Sequence, residues 1–201
     1  LTIVKENENI DRFRGRVVFP IRSMSGRILG FGGRILGSSK SIAKYINSPE
    51  SLIYQKSRVL YGIFESKQSI VKNDNCFLVE GYTDVIKMHQ CGISNVVASS
   101  GTALTENQIR LINRLTRNIT VVFDGDAAGS RAALRGIDLI LEQGMNVKIC
   151  NLPEGDDPDS FVSDKNLEEV QSYLNKNSKD FIVYKASLLL DDSENDPVKK
   201  A

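Results

Sequence analysis

The sequence has little of what builds covalent or metal staples. Its 201 residues include three cysteines and one histidine. Cys76, Cys91 and Cys150 are odd in number and form no C-x-x-C pair. That argues against a disulfide framework and for reduced thiols in a cytoplasmic protein. A zinc site takes four ligands at short spacing. His89 cannot complete one with these cysteines, so no zinc is expected. No uninterrupted apolar run reaches the length of a membrane-spanning helix, and the opening LTIVKENENIDRFRG holds no apolar signal segment. Internal repeats and low-complexity tracts are missing as well. With 41% apolar and 25% charged residues the composition is globular, and the length allows one large domain or two small ones. A chain this long builds a core without staples. It starts with Leu and ends in VKKA, which reads as a piece of something longer.

One further absence is local. From Arg12 to Pro49 there is no carboxylate, against eight cations: Arg12, Arg14, Arg16, Arg22, Arg27, Arg34, Lys40 and Lys44. Residues 1–72 hold 13 Lys/Arg and 5 Asp/Glu, a net of +8; residues 73–201 hold 13 and 20, a net of −7. A cationic stretch without counter-charges favours polyanions, and an acidic half can hold cations. A polyanion beside a metal ion is the setting of phosphoryl transfer.

RVVFPI (16–21) and RILGFGGRIL (27–36) read as two strands of a hairpin, with a bulge or a close backbone approach at Gly32–Gly33. This is no Walker loop, because Ser38 stands where the lysine must be. Residues 41–70 read as a mix of short elements, with KYINSPES and YQKSRVLYG irregular. From residue 76 short apolar runs alternate with helical stretches: CFLVE (76–80), NVVAS (95–99), ITVVFD (119–124) and NVKICNL (146–152) are the runs. The stretches between them predict helices up to residue 91, over 106–116 and over 127–143. Thr105 and Gln108 make a capping box for the second. Further helices are expected over 166–176 and 178–190, with DDSENDP (191–197) as a linker. Strands alternating with helices predict an α/β fold whose parallel sheet is covered on both faces.

The carboxylates fall just past three strand ends. Glu80 closes the first, with Asp84 in the next helix turn; Asp124 closes the third, with Asp126 after Gly125; Asp156, Asp157 and Asp159 follow the fourth. In open α/β sheets, ligands bind beyond the carboxyl ends of the strands. The clusters can therefore converge, and their mutual repulsion calls for a hard divalent cation with oxygen ligands. Gly125 is read as the turn that aims Asp124 and Asp126 at one point.

VEGYTD and VVFDGDAAG resemble the signature of a Toprim domain, a glutamate after one strand and D-x-D after a later one, which topoisomerases and some nucleases share. The wider chain resembles the bacterial DNA primases. VEGYTDVIKMHQCGISNVVASSGTALTENQ, LPEGDDPDSF, GRVVFPI, GRILGFGGRIL, KYINSPES and QKSRVLYG carry that resemblance over residues 12–190. It implies a Toprim-type parallel sheet flanked by helices, preceded by a smaller mixed α+β subdomain and followed by C-terminal helices. The implied divisions are 1–72, 73–155 and 156–201. The implied activity is synthesis of RNA primers on single-stranded DNA from NTPs, at a cytoplasmic replication fork. Glu80, Asp124 and Asp126 are then the catalytic acids and hold Mg²⁺, for which Mn²⁺ can substitute; Glu80 could instead carry a proton. Asp84, Asp157 and Asp159 join the metal cluster. Arg16, Arg22, Arg34, Lys44, Asn47 and Lys56 hold template and nucleotide phosphates. The resemblance further implies that a zinc module, the first part of the core and a region contacting the replicative helicase lie outside this chain, which would prime poorly alone.

Overall fold

A computed structural model describes residues 2–5, 8–37, 43–101, 103–125 and 131–186. Two layers of sheet-based structure position everything else, beside an N-terminal hairpin of β1 (Thr2–Lys5) and β2 (Glu8–Asp11). The smaller sheet holds β3 (Arg16–Arg22), β4 (Ile28–Ile35) and β5 (Tyr45–Asn47), all antiparallel in the order β3-β4-β5. The larger sheet is built from β6 (Cys76–Val79), β7 (Val96–Ala98), β8 (Asn118–Phe123), β9 (Asn146–Asn151) and β10 (Ser178–Asp180). Its order is β10-β9-β8-β6-β7, and the four strands β6 to β9 are mutually parallel. The helices α1 (Ile63–Asn73), α2 (Tyr82–Gln90), α3 (Glu106–Asn113), α4 (Arg131–Glu142), α5 (Pro158–Ser163) and α6 (Leu167–Asn177) accompany these strands, and a further helical stretch covers residues 181–186. None is long and apolar enough to cross a membrane.

The apolar runs are continuous because both faces of the large sheet are buried. Alternation sends Cys76 and Leu78 to one face and Phe77 and Val79 to the other; Val121 and Phe123 likewise oppose Val122. The first face is covered by Ile63 and Ile70 of α1, Ile109 and Ile112 of α3, and Ile137 and Ile140 of α4. The second is covered by Val85 and Met88 of α2, Phe161 and Val162 of α5, and Val170 and Leu174 of α6. The chain thus leaves β6 through α2 to reach β7 on one side, then crosses by α3 to β8 on the other. The winding reverses between β6 and β8, and a crevice opens there at the carboxyl ends of the two strands. Helix α3 starts as expected: Thr105 Oγ1 accepts from the Gln108 N–H at 3.3 Å, and Gln108 Oε1 from the Thr105 N–H at 3.1 Å.

The glycine-rich strand β4 is paired in register with β3 through Gly32 and Gly33, and the bulge falls at Ile21/Arg22 instead. The glycines serve close approach. A Cβ on Gly30 would stand 2.8 Å from the Tyr54 ring, on Gly32 2.5 Å from the tip of Tyr82, and on Gly33 2.4 Å from Phe13. Side chains of this chain fill the space, so the sheet lies on its own aromatic rings. Tyr82 reaches it from the first turn of α2 and stacks on Phe19, with centroids 5.1 Å apart and planes 5° apart.

Two expectations change. Residues 178–180 form a strand antiparallel to β9, with Ser178 opposite Cys150, and a helix begins only at residue 181. The 11-residue helix α1 begins inside the stretch 41–70, where only short elements are expected. The start of the helix expected from residue 127 and the linker over 191–197 lie outside the described residues.

Candidate functional site

At the reversal point lies a cleft of about 600 Å³. Glu80 is the residue after β6, and Asp124 the residue after β8. Because Leu78 pairs with Val121, the two acids emerge from adjacent strands at nearly the same height. Glu80, Asp84, Asp124 and Asp157 all line the cleft, and Lys44 and Tyr45 of the basic sheet border it. Asp126 lies outside the described residues. Among the described residues no three of His, Cys, Asp or Glu are gathered tightly enough to hold a metal ion.

Local chemistry fixes each acid. Asp84 is the third residue of α2, and its Oδ2 accepts from the Gly81 N–H at 2.8 Å. The residue is 7% exposed. Burial pushes its pKa up to about 6, opposed by that hydrogen bond and reinforced by the charges of Asp157, Asp124 and Asp159. One buried carboxyl thus feels both of the other acidic clusters. Asp157 caps α5, accepting from the Ser160 N–H at 2.7 Å, with Pro158 as the first helical residue. Asp159 is turned toward α2, where Lys87 Nζ lies 3.8 Å from its Oδ1. Gly125 is needed for proximity and not for a left-handed turn. Its N–H donates to Asp156 O at 3.0 Å, and a Cβ there would sit 2.3 Å from Pro153 O. Only glycine lets the loop after β8 press on the loop after β9.

The six expected phosphate-binding residues separate into two groups. Arg16 spends its guanidinium on the chain, donating to the carbonyls of Gly33, Ala43 and Lys44. Arg22 donates to Gly26 O, pairs with Glu65 at 3.3 Å and lies over the Phe64 ring. These two brace the small sheet. Arg34 and Lys44 both stand over the Tyr45 ring, about 6 Å from its centroid, and of these two cations Lys44 lines the cleft. Lys56 Nζ donates to Gly101 O at 3.1 Å. Asn47 faces Tyr82. Its amide is satisfied when Nδ2 donates to Tyr82 Oη at 2.6 Å and to Ile46 O at 3.2 Å, while Oδ1 accepts from Lys56 Nζ at 3.1 Å. The opposite orientation would set the NH₂ against an ammonium, donor against donor.

Sequence reasoning missed Ser99, Ser100 and Gly101, which line the cleft beyond β7. Their signal was position, since they follow the strand next to β6. Tyr82 is 2% exposed, and burial pushes its phenol pKa up, so it is no nucleophile for a DNA strand.

An α/β sheet with acids at the carboxyl ends of two central parallel strands defines the class. Residues 77–162 match the Toprim-like family model, and residues 1–67 match that of the DNA primase catalytic core, N-terminal domain. The chain belongs to the DNA primase catalytic-core family. It is 46% identical to the DNA primase of Clostridium acetobutylicum over 185 residues, covering 91% of this chain and 30% of that protein. A DNA primase domain from Pseudomonas aeruginosa superposes with a TM-score of 0.85 at 40% identity, covering 94% of this chain and 60% of that one. A DnaG primase catalytic domain bound to single-stranded DNA gives 0.79 at 38% identity, over 89% and 58%. The chain therefore spans about a third of the length of the curated relatives it matches.

Proposed function

We propose that this chain is the catalytic part of an enzyme that synthesises RNA primers on a single-stranded DNA template, by transfer of ribonucleotidyl groups from NTPs. One observation carries the reading. The cleft at the winding reversal has carboxylates on the β6 and β8 side and cations on the facing side, from the small sheet. The relatives with this pair of domains are DNA primases, and one was solved with single-stranded DNA.

The acids suit a divalent cation. All donors are carboxylate oxygens. Burial, and to a lesser degree the charges of Asp157, Asp124 and Asp159, raises the proton affinity of Asp84, so a bound cation would relieve repulsion the fold already bears. Glu80 and Asp124, with Asp126 of the same D-x-D, would hold Mg²⁺ or Mn²⁺, and Asp84, Asp157 and Asp159 would support them by charge. Such an ion supplies activation of the attacking 3′-hydroxyl and neutralisation of the pyrophosphate leaving group. The chain's own residues do the rest. Arg34, Lys44 and Lys56 bind phosphate oxygens of nucleotide or template, and Asn47 holds Lys56 in place. Arg16 and Arg22 keep the small sheet rigid behind them. The setting we propose is the cytoplasmic replication fork, with a replicative helicase as partner of other parts of the whole protein.

The test is Asp124→Asn and Asp126→Asn in a complete primase. Removing charge at nearly constant volume should leave melting unchanged or raised while primer synthesis falls at least ~100-fold, the scale of a lost electrostatic stabiliser. Primer synthesis at the parent rate in both variants would remove these acids from the mechanism.

A further inference from the structure

The residue Ser100 has φ of +59°, a left-handed conformation that side chains with a Cβ avoid, just past the end of β7 in the cleft wall. Such a conformation persists only when its surroundings hold it. Here the Ser100 N–H donates to Glu80 O at 2.9 Å. Its hydroxyl oxygen is buried without a hydrogen-bond partner and lies near the Tyr82 hydroxyl. With Asn47 donating into Tyr82 Oη, the phenol proton is free to point at that oxygen. On its other side Asn47 accepts from Lys56, whose Nζ also donates to Gly101 O, the residue after Ser100. The bonds run from Tyr82 through Asn47 and Lys56 to Gly101, the chain neighbour of Ser100. A lysine ammonium has three protons, and these bonds use two.

We propose that Tyr82 is a positioning residue whose hydroxyl sets Lys56 and the left-handed turn at Ser100 as one unit at the cleft mouth, leaving one ammonium proton of Lys56 for a nucleotide phosphate. The aromatic packing of Tyr82 against Phe19 and Tyr61 needs only a ring. The hydroxyl is the part this role explains. The phosphate end of the proposal rests on the function proposed above; the link from Tyr82 to Lys56 does not.

The test uses Tyr82→Phe in this chain, which keeps the ring, and Asn47→Ala as a second cut in the same series of bonds. Acylation of Lys56 by a lysine-directed reagent is measured by peptide mass spectrometry relative to Lys44 in the same molecule. Both variants should raise that ratio several-fold. An unchanged ratio in Tyr82→Phe overturns the proposal, whatever the melting temperature does. ATP with Mn²⁺ is the second probe. Tyr82→Phe should weaken its binding about 3- to 10-fold in the parent and not at all in a Lys56→Met background. Equal losses in both backgrounds would likewise overturn the proposal. A raised acylation ratio in a chain that binds no ATP would uphold the link and refute the function proposed for the cleft.

Discussion

The large sheet buries eighteen described side chains on one face and thirteen on the other, whereas the small sheet closes over four: Phe19, Ile21, Tyr54 and Tyr82. The small sheet leaves Val17, Val18 and Ile28 more than a third exposed. It is held by glycines seated on rings and by arginines bonded to carbonyls, contacts that tolerate no added atom. The large sheet is held by many interchangeable methyl groups. Acids sit on the redundant scaffold and cations on the fitted one, so the cleft between them depends on two different kinds of stability.

The sharpest way to break this contrast is to add a methyl to one sheet and remove one from the other. Gly32→Ala should destabilise the chain by about 3 kcal/mol, because its Cβ would meet a Tyr82 ring already clamped by Phe19 and Tyr61. Ile149→Val, in the large core, should cost about 1 kcal/mol. Denaturant midpoints decide, and equal effects would dissolve the distinction. Next in size is Asp84→Asn. A carboxyl whose pKa is raised by folding binds its proton more tightly in the native state, so its contribution to stability falls as pH rises from about 4 to about 6. Above that window the substitution should stabilise the chain by on the order of 2 kcal/mol, and below it the gain should vanish. Melting curves of parent and variant at pH 4 and pH 7.5 test this. Thr105→Ala should remove about 1 kcal/mol by uncapping α3, as chemical denaturation can show. Smallest in stability, within about 0.5 kcal/mol, is Lys44→Ala on the exposed face of the small sheet. Its effect should appear instead in salt titrations of single-stranded DNA binding, where losing one phosphate contact lowers the slope by about 0.7.

The same contrast governs what could be read from sequence. The large sheet was legible because unbroken apolar runs such as ITVVFD are what two buried faces require, and Glu80 and Asp124 were legible because they end such runs. Helix α1 was not, since its apolar residues Ile63, Phe64, Ile70 and Val71 lie in two pairs, with only polar residues over 65–69 between them. Strand β10 is Ser-Lys-Asp, three residues with no strand preference, paired only because β9 offers a free edge. Gly125 carried a signal of the right residue for the wrong reason: it answers to a loop some thirty residues away. The same holds for Tyr82 and Asn47, 35 residues apart and joined by one bond across the two sheets.

That polar strand also bears on any shortened version of the molecule. Ending the chain before Ser178 would bare the outer edge of β9 at Lys148, Ile149 and Cys150 to whatever backbone drifts by. A truncation at the family-model boundary of residue 162 would therefore be prone to stick to copies of itself, while one reaching past Asp180 keeps a charged guard in place.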